Sequence, residues 1–159
     1  MTRPTVVFFG YDFQPKMTAK IFMRTLLYST SVRGKVIEGM YAKLQHGDNE
    51  ETFGFWGYGE TNRLVPGSGL YVSQSGVGAN HHFVLSVDRP PYRFTTGNYI
   101  IEVFARIVGQ QSPLKLSEIK ITLTTDHATA LAREQGVLFE LGPDSDGYTG
   151  HVREGRGNP

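Results

Sequence analysis

Tyr99-Ile100-Ile101-Glu102-Val103-Phe104-Ala105-Arg106-Ile107-Val108 is the stretch whose reading decides the fold. Side chains of a strand alternate between its two faces, so Tyr99, Ile101, Val103, Ala105 and Ile107 form one wholly apolar face. The opposite face, Ile100 to Val108, mixes apolar groups with Glu102 and Arg106. A helix would scatter these two sets around its circumference. The stretch is therefore a strand with one face in a core and the other half covered.

The same period recurs outward from it. Ala19, Ile21, Met23, Thr25 and Leu27 alternate with Lys20, Phe22, Arg24, Leu26 and Tyr28; Phe83, Leu85 and Val87 alternate with His82, Val84 and Ser86; Val137, Phe139 and Leu141 alternate with Leu138 and Glu140. Ile119, Ile121 and Leu123 share a parity that Leu114 and Leu116 lack, which calls for a bulge near Ser117–Glu118 or a break between two strands. Val36–Leu44 and Thr52–Tyr58 are further extended runs, giving about eight strands by this count. Turn chemistry separates them, as in Arg33-Gly34, His46-Gly47-Asp48-Asn49, Thr96-Gly97-Asn98 and Asp144-Ser145-Asp146-Gly147. Only Asp126–Gln135 has helical character, with Asp126 as N-cap, Ala128, Ala130, Leu131 and Ala132 as helix formers, and Gly136 as terminator. The expected architecture is all-β: a single antiparallel β-sandwich, immunoglobulin-like or jelly-roll-like, with one short helix near 126–135, or alternatively a β-barrel. Residues 1–148 are expected to form one domain and 149–159 a flexible C-terminal tail.

Composition agrees and closes several functional classes. Leu, Ile, Val and Phe make up 42 of 159 residues and the formal net charge is +1, outside the range of disordered chains. With no cysteine there is no disulfide, thiolate metal site or cysteine nucleophile. Thr5–Phe9 is too short for the apolar core of a signal peptide, and Glu102 and Arg106 interrupt the longest apolar stretch well before a membrane span, so the expected location is cytoplasmic. Sixteen basic and fifteen acidic residues are interspersed, without the dense basic cluster that nucleic acid requires.

Phe94-Thr95-Thr96-Gly97-Asn98-Tyr99-Ile100-Ile101-Glu102-Val103-Phe104-Ala105 resembles the turn-Gly-x-Tyr-x-x-x-Val-x-Ala passage into a late strand of immunoglobulin-like and fibronectin-type sandwiches. The resemblance covers about a dozen residues and implies that the Tyr99 hydroxyl bonds back to the chain just upstream. It carries no activity, because one sandwich scaffold hosts many functions.

Familiar chemical motifs are missing. Gly67-Ser68-Gly69 and Gly76-Val77-Gly78 lack the third glycine and following helix of a dinucleotide site, and neither Gly-x-Ser-x-Gly nor His-Glu-x-x-His occurs. Asp144-Ser145-Asp146-Gly147-Tyr148 fails the calcium-loop register, since Tyr148 falls fifth, Thr149 sixth and Gly155 twelfth; a turn accounts for these residues. His81 and His82 are adjacent, so on one strand they face opposite sides and cannot share an ion. The ordinary expectation puts His82 on a half-exposed strand and His81 at a loop edge.

The remaining signal is Phe53-Gly54-Phe55-Trp56-Gly57-Tyr58-Gly59. If Phe53 and Phe55 face the core, Trp56 and Tyr58 lie together on the opposite face as an aromatic platform, with Asn62 and Arg63 nearby for polar contacts. The expected function is thus a non-enzymatic binding or assembly module with no cofactor. It would recognise a protein or carbohydrate partner, or a second copy of itself, through Trp56, Tyr58, Asn62, Arg63, His81 and His82 or the Gly-rich loops Pro66–Gly69 and Gly76–His82. Self-association would use the face bearing Ile100, Phe104 and Val108. The alternative is a small metal-dependent enzyme using His81 or His82 with His127 and a carboxylate such as Asp88 or Asp126.

Overall fold

The structure is a computed structural model that describes residues 1–12, 16–58, 65–66 and 69–153. Among the described residues, twelve strands and one helix follow in the order β1 (Val6–Asp12), β2 (Thr18–Leu27), β3 (Lys35–His46), β4 (Asn49–Phe53), β5 (Phe55–Tyr58), β6 (Val65–Pro66), β7 (Leu70–Val72), β8 (Val77–Val84), β9 (Gly97–Ile107), β10 (Leu114–Leu123), α1 (Thr125–Ala132), β11 (Gly136–Leu141) and β12 (Tyr148–Arg153). They form two antiparallel sheets packed face to face, a sandwich and not a closed barrel. One sheet runs β12-β11-β1-β2-β8-β5-β6; the other runs β10-β9-β3-β4, with β7 also pairing β3. No helix among the described residues is long and apolar enough to cross a membrane.

The alternating sets meet in one core. Tyr99, Ile101, Val103, Ala105 and Ile107 of β9 are all buried, facing Val7 and Phe9 of β1, Ile21 and Met23 of β2, and Val137 and Phe139 of β11. Of the bulge and the strand break expected near Ser117–Glu118, β10 has the bulge, between Lys115 and Ser117, and it brings Ile119, Ile121 and Leu123 inward. The tyrosine corner forms as the resemblance implies: the Tyr99 hydroxyl donates to the Thr95 carbonyl at 2.8 Å and accepts from the Thr95 N–H at 2.8 Å. His46 stacks on the Tyr99 ring at 4.2 Å, and its Nδ1 bonds the Asn98 carbonyl oxygen at 3.0 Å, so the β3 hairpin end is pinned to the corner.

Four expectations change. The extended run Thr52–Tyr58 is two strands in different sheets, because the chain crosses between them at Gly54. That crossing resets which parity faces inward: Phe53 is fully buried, Phe55 is 55% exposed, and Trp56 points into the core. The helix N-cap is Thr124, not Asp126; Thr124 Oγ1 accepts from the His127 N–H while His127 Nδ1 accepts from the Thr124 N–H, both at 3.3 Å. The helix ends at Arg133, and Glu134, not Gly136, takes the left-handed conformation with φ 64°. Gly136 is glycine for another reason. Phe8 lies flat on the outer face of its sheet, and a Cβ at Gly136 would sit 2.2 Å from its ring, one at Gly10 2.5 Å. Finally, the expected tail is a strand as far as Arg153: Tyr148–Arg153 pairs with all of Gly136–Leu141.

Candidate functional site

Strands β8 and β5 hold the residues singled out by sequence. The structure places Trp56 and Tyr58 on one face, ring centroids 5.1 Å apart, but it is the inner face, and Trp56 is only 5% exposed. The indole N–H donates to His81 Nδ1 at 3.2 Å, and His81 Nε2 lies 3.1 Å from Thr25 Oγ1. Since the indole can only donate, Nδ1 is the bare nitrogen, and Nε2–H donates to the threonine oxygen. His82 points to the other face, against Phe22 with ring centroids 4.9 Å apart. Both histidines are buried, so neither the loop-edge nor the half-exposed expectation holds. Burial, with His82 beside it as the lesser cause, lowers His81 from 6.5 to about 4. Trp56 and His81 are thus a core polar pair, not a surface platform.

Among the described residues of the expected set, Tyr58 is the one that lines the surface groove beside Arg24. Its hydroxyl donates to the Gly69 carbonyl at 3.4 Å, and with Arg24, Leu70, Val77 and Gly78–Asn80 it lines a groove of about 330 Å³. The Gly-rich segment and the aromatic strand therefore do converge, although Arg24 is engaged by Asn80 Oδ1 at 3.0 Å. Asn62 and Arg63 lie outside the described residues.

The histidines of the metal alternative are not brought together. His127 packs edge-on against Phe139 of β11 at 5.5 Å, while His81 is on β8, three strand spacings away in the same sheet or about 14 Å. Asp88 receives the Ser86 hydroxyl, which lowers its carboxyl, and Asp126 sits in the first turn of α1. Among the described residues no group of three His, Asp or Glu side chains is placed to hold a metal ion. On the face considered for self-association, Phe104 stacks on Tyr41 at 5.1 Å and Glu102 pairs with Lys115, leaving Ile100 half-buried and Val108 exposed.

A larger cleft lies at one end of the sandwich, and sequence reasoning missed it. There the chain crosses between sheets twice: β8 to β9 through Pro90–Thr96, and β10 to β11 through α1. The two crossovers run side by side and enclose about 720 Å³, within the roughly 300–1,000 Å³ of small-ligand sites. One wall is the helix face Thr125, Ala128, Thr129 and Ala132, whose spacing of three, one and three puts small side chains on one stripe. The other wall is Pro91–Thr96, outside any sheet ladder. Phe94 anchors that wall by stacking on Phe9 at 4.9 Å and meeting Tyr11 and Tyr92 edge-on at 5.9 and 5.2 Å.

Leu131 and Tyr11 form the floor, and Met17, Arg93 and Glu134 stand at the rim. Burial raises both the Tyr11 and Tyr92 phenols, so each stays protonated and able to donate. The walls are apolar and aromatic with hydroxyls and two opposite charges. Such a cleft can bind and orient a ligand. Comparison of the chain with protein-family models, curated proteins and solved structures found no match.

Proposed function

We propose that this protein is a binding module without a catalytic step, and that it takes a short segment of a protein partner in the cleft between Pro91–Thr96 and α1. The cleft itself carries the reading: it has the volume of a ligand site, aromatic and small-residue walls, and only a few convergent polar groups. Loops at one end of a rigid sandwich are a common place for recognition, and the Tyr99 corner ties the 90–96 wall to β9, so that wall is preorganised. The same corner supports grouping the sandwich with immunoglobulin-like folds.

The test uses a blocking variant. Ala132 is exposed on the cleft side of α1, so Ala132→Trp fills the cleft without touching the core. Peptides selected from a random display library on the wild-type protein are expected to lose at least about tenfold in affinity for Ala132→Trp, equivalent to about 1.4 kcal/mol. Selected peptides that bind both proteins equally would overturn the reading. Glycan binding abolished by the same variant would replace the peptide with a carbohydrate.

A further inference from the structure

The wall Pro91–Thr96 has the pattern of a strand without a ladder. Tyr92 is half-buried and Phe94 buried while Arg93 and Thr95 are exposed, the alternation of an extended chain, and neither turn nor bend falls between Pro90 and Thr95. The two prolines at its start favour that conformation. Successive residues of an extended chain turn their N–H and C=O groups to opposite edges. Thr95 gives both of its groups to the Tyr99 hydroxyl, so its edge belongs to the corner. Tyr92 and Phe94 therefore present theirs on the other edge. That edge is on the cleft side, because the Phe94 N–H meets the phenol of Tyr11 on the cleft floor and helps to hold its proton loosely against the effect of burial. Among the described residues, Tyr92, the Phe94 carbonyl and Thr96 at the bend that closes the wall make no backbone–backbone hydrogen bond.

We infer that the cleft receives its partner as an added strand, an extended peptide whose backbone pairs with the Tyr92–Thr96 edge and whose alternate side chains stand against α1. This rests on the cleft being the binding site. An open edge offers donors and acceptors at the repeat of a peptide backbone, and an extended segment brings free groups at the same repeat. A helical segment spends its own N–H and C=O groups internally and would leave this edge unpaired. Pro90 and Pro91 carry no N–H, so the edge begins at Tyr92, and the four steps to Thr96 span about 13 Å. Opposite it, Ala128 and Ala132 leave room above Leu131 for apolar side chains at every second position of the peptide. Backbone pairing needs no net charge in the cleft, in keeping with the opposite charges of Arg93 and Glu134 at its rim.

The probe is the tightest peptide recovered on the wild-type protein from a random linear display library and no longer bound by Ala132→Trp. Each backbone N–H of that peptide is methylated in turn, and affinity is read by fluorescence polarisation. Methylation at alternate positions is expected to weaken binding at least about tenfold, and at the intervening positions less than about threefold, because only every second N–H of an added strand faces the edge. In the complex, hydrogen exchange at the Tyr92 amide, followed by NMR, is expected to slow at least about tenfold. If sensitivity to methylation lacks a period of two, or if exchange at Tyr92 is unchanged, the inference is overturned and the cleft reading stands. If the library yields no peptide whose binding Ala132→Trp blocks, the cleft reading fails and the inference fails with it.

Discussion

Lowering the pH should weaken this fold through one residue, and the size of the effect follows from where His81 sits. The ring is fully buried, with Nδ1 accepting from the Trp56 indole and Nε2–H donating to Thr25, so its uncharged form satisfies both neighbours. A second proton would go to Nδ1 and point at the indole N–H, setting donor against donor in the core. The unfolded chain binds a proton at His81 below about pH 6.5, whereas the folded chain does so only below about 4. The contribution of His81 is therefore complete above pH 6.5, is lost progressively as pH falls, and levels off below 4. At about 1.36 kcal/mol per pH unit, the interval of about 2.5 units amounts to some 3 kcal/mol in full and about 2 kcal/mol by pH 5. Urea unfolding followed by Trp56 emission at pH 7.5 and 5.0 measures this directly. His81→Gln, whose amide can accept from the indole and donate to Thr25 without titrating, provides the reference. Carboxylates and the histidines remote from His81 contribute equally to both proteins, so the wild type should lose about 2 kcal/mol more than the variant between these pH values. Equal losses would refute the argument that His81 is held uncharged.

Other expectations are independent of that one. Trp56 emission should be blue-shifted and protected from acrylamide, as its 5% exposure requires; a red-shifted, readily quenched indole would contradict the placement of β5. Tyr99→Phe removes both bonds to Thr95 and should cost about 1–3 kcal/mol in urea unfolding, because a donor and an acceptor at the corner lose their partner together. Gly136→Ala should cost about 1–3 kcal/mol by pushing the Phe8 ring off its glycine bed, and Phe8→Leu should recover part of that loss, a coupling that a double-mutant cycle measures. Glu134→Gly should raise stability by about 1 kcal/mol, since it releases the left-handed residue from its Cβ.

The local rules of the sequence were enough for most of the architecture. Period-two alternation located the inward faces of β2, β9 and β11, and the parity change in 114–123 called for a bulge or a break between strands, of which a bulge at Leu116 is the one that forms. The glycine and tyrosine of 97–99 specified the corner. These are short-range consequences of strand geometry and turn sterics, and neighbouring side chains suffice to express them. Local reading was weaker wherever a residue had two uses. Thr124 outcompeted Asp126 for the cap because His127 returned a hydrogen bond to it, and Gly136 was taken for a helix terminator when its lack of a Cβ makes room for a ring from β1.

Tertiary structure decided the site. That Trp56 and Tyr58 share a face was legible from parity; which face it is depended on the chain changing sheets at Gly54, an event with no local signal beyond one glycine. The expected platform became a core pair for that reason. The cleft was invisible in one dimension, since its walls, 91–96 and 125–134, are about thirty residues apart and neither is distinctive alone. They meet because the chain leaves one sheet after β8 and returns to it after β10 at the same end of the sandwich. Sequence by itself determined which residues seek the interior, because hydrophobic burial and strand alternation act residue by residue. Only the assembled sheets decided which surface residues stand together, because that proximity is set by the order of strands across space and not along the chain.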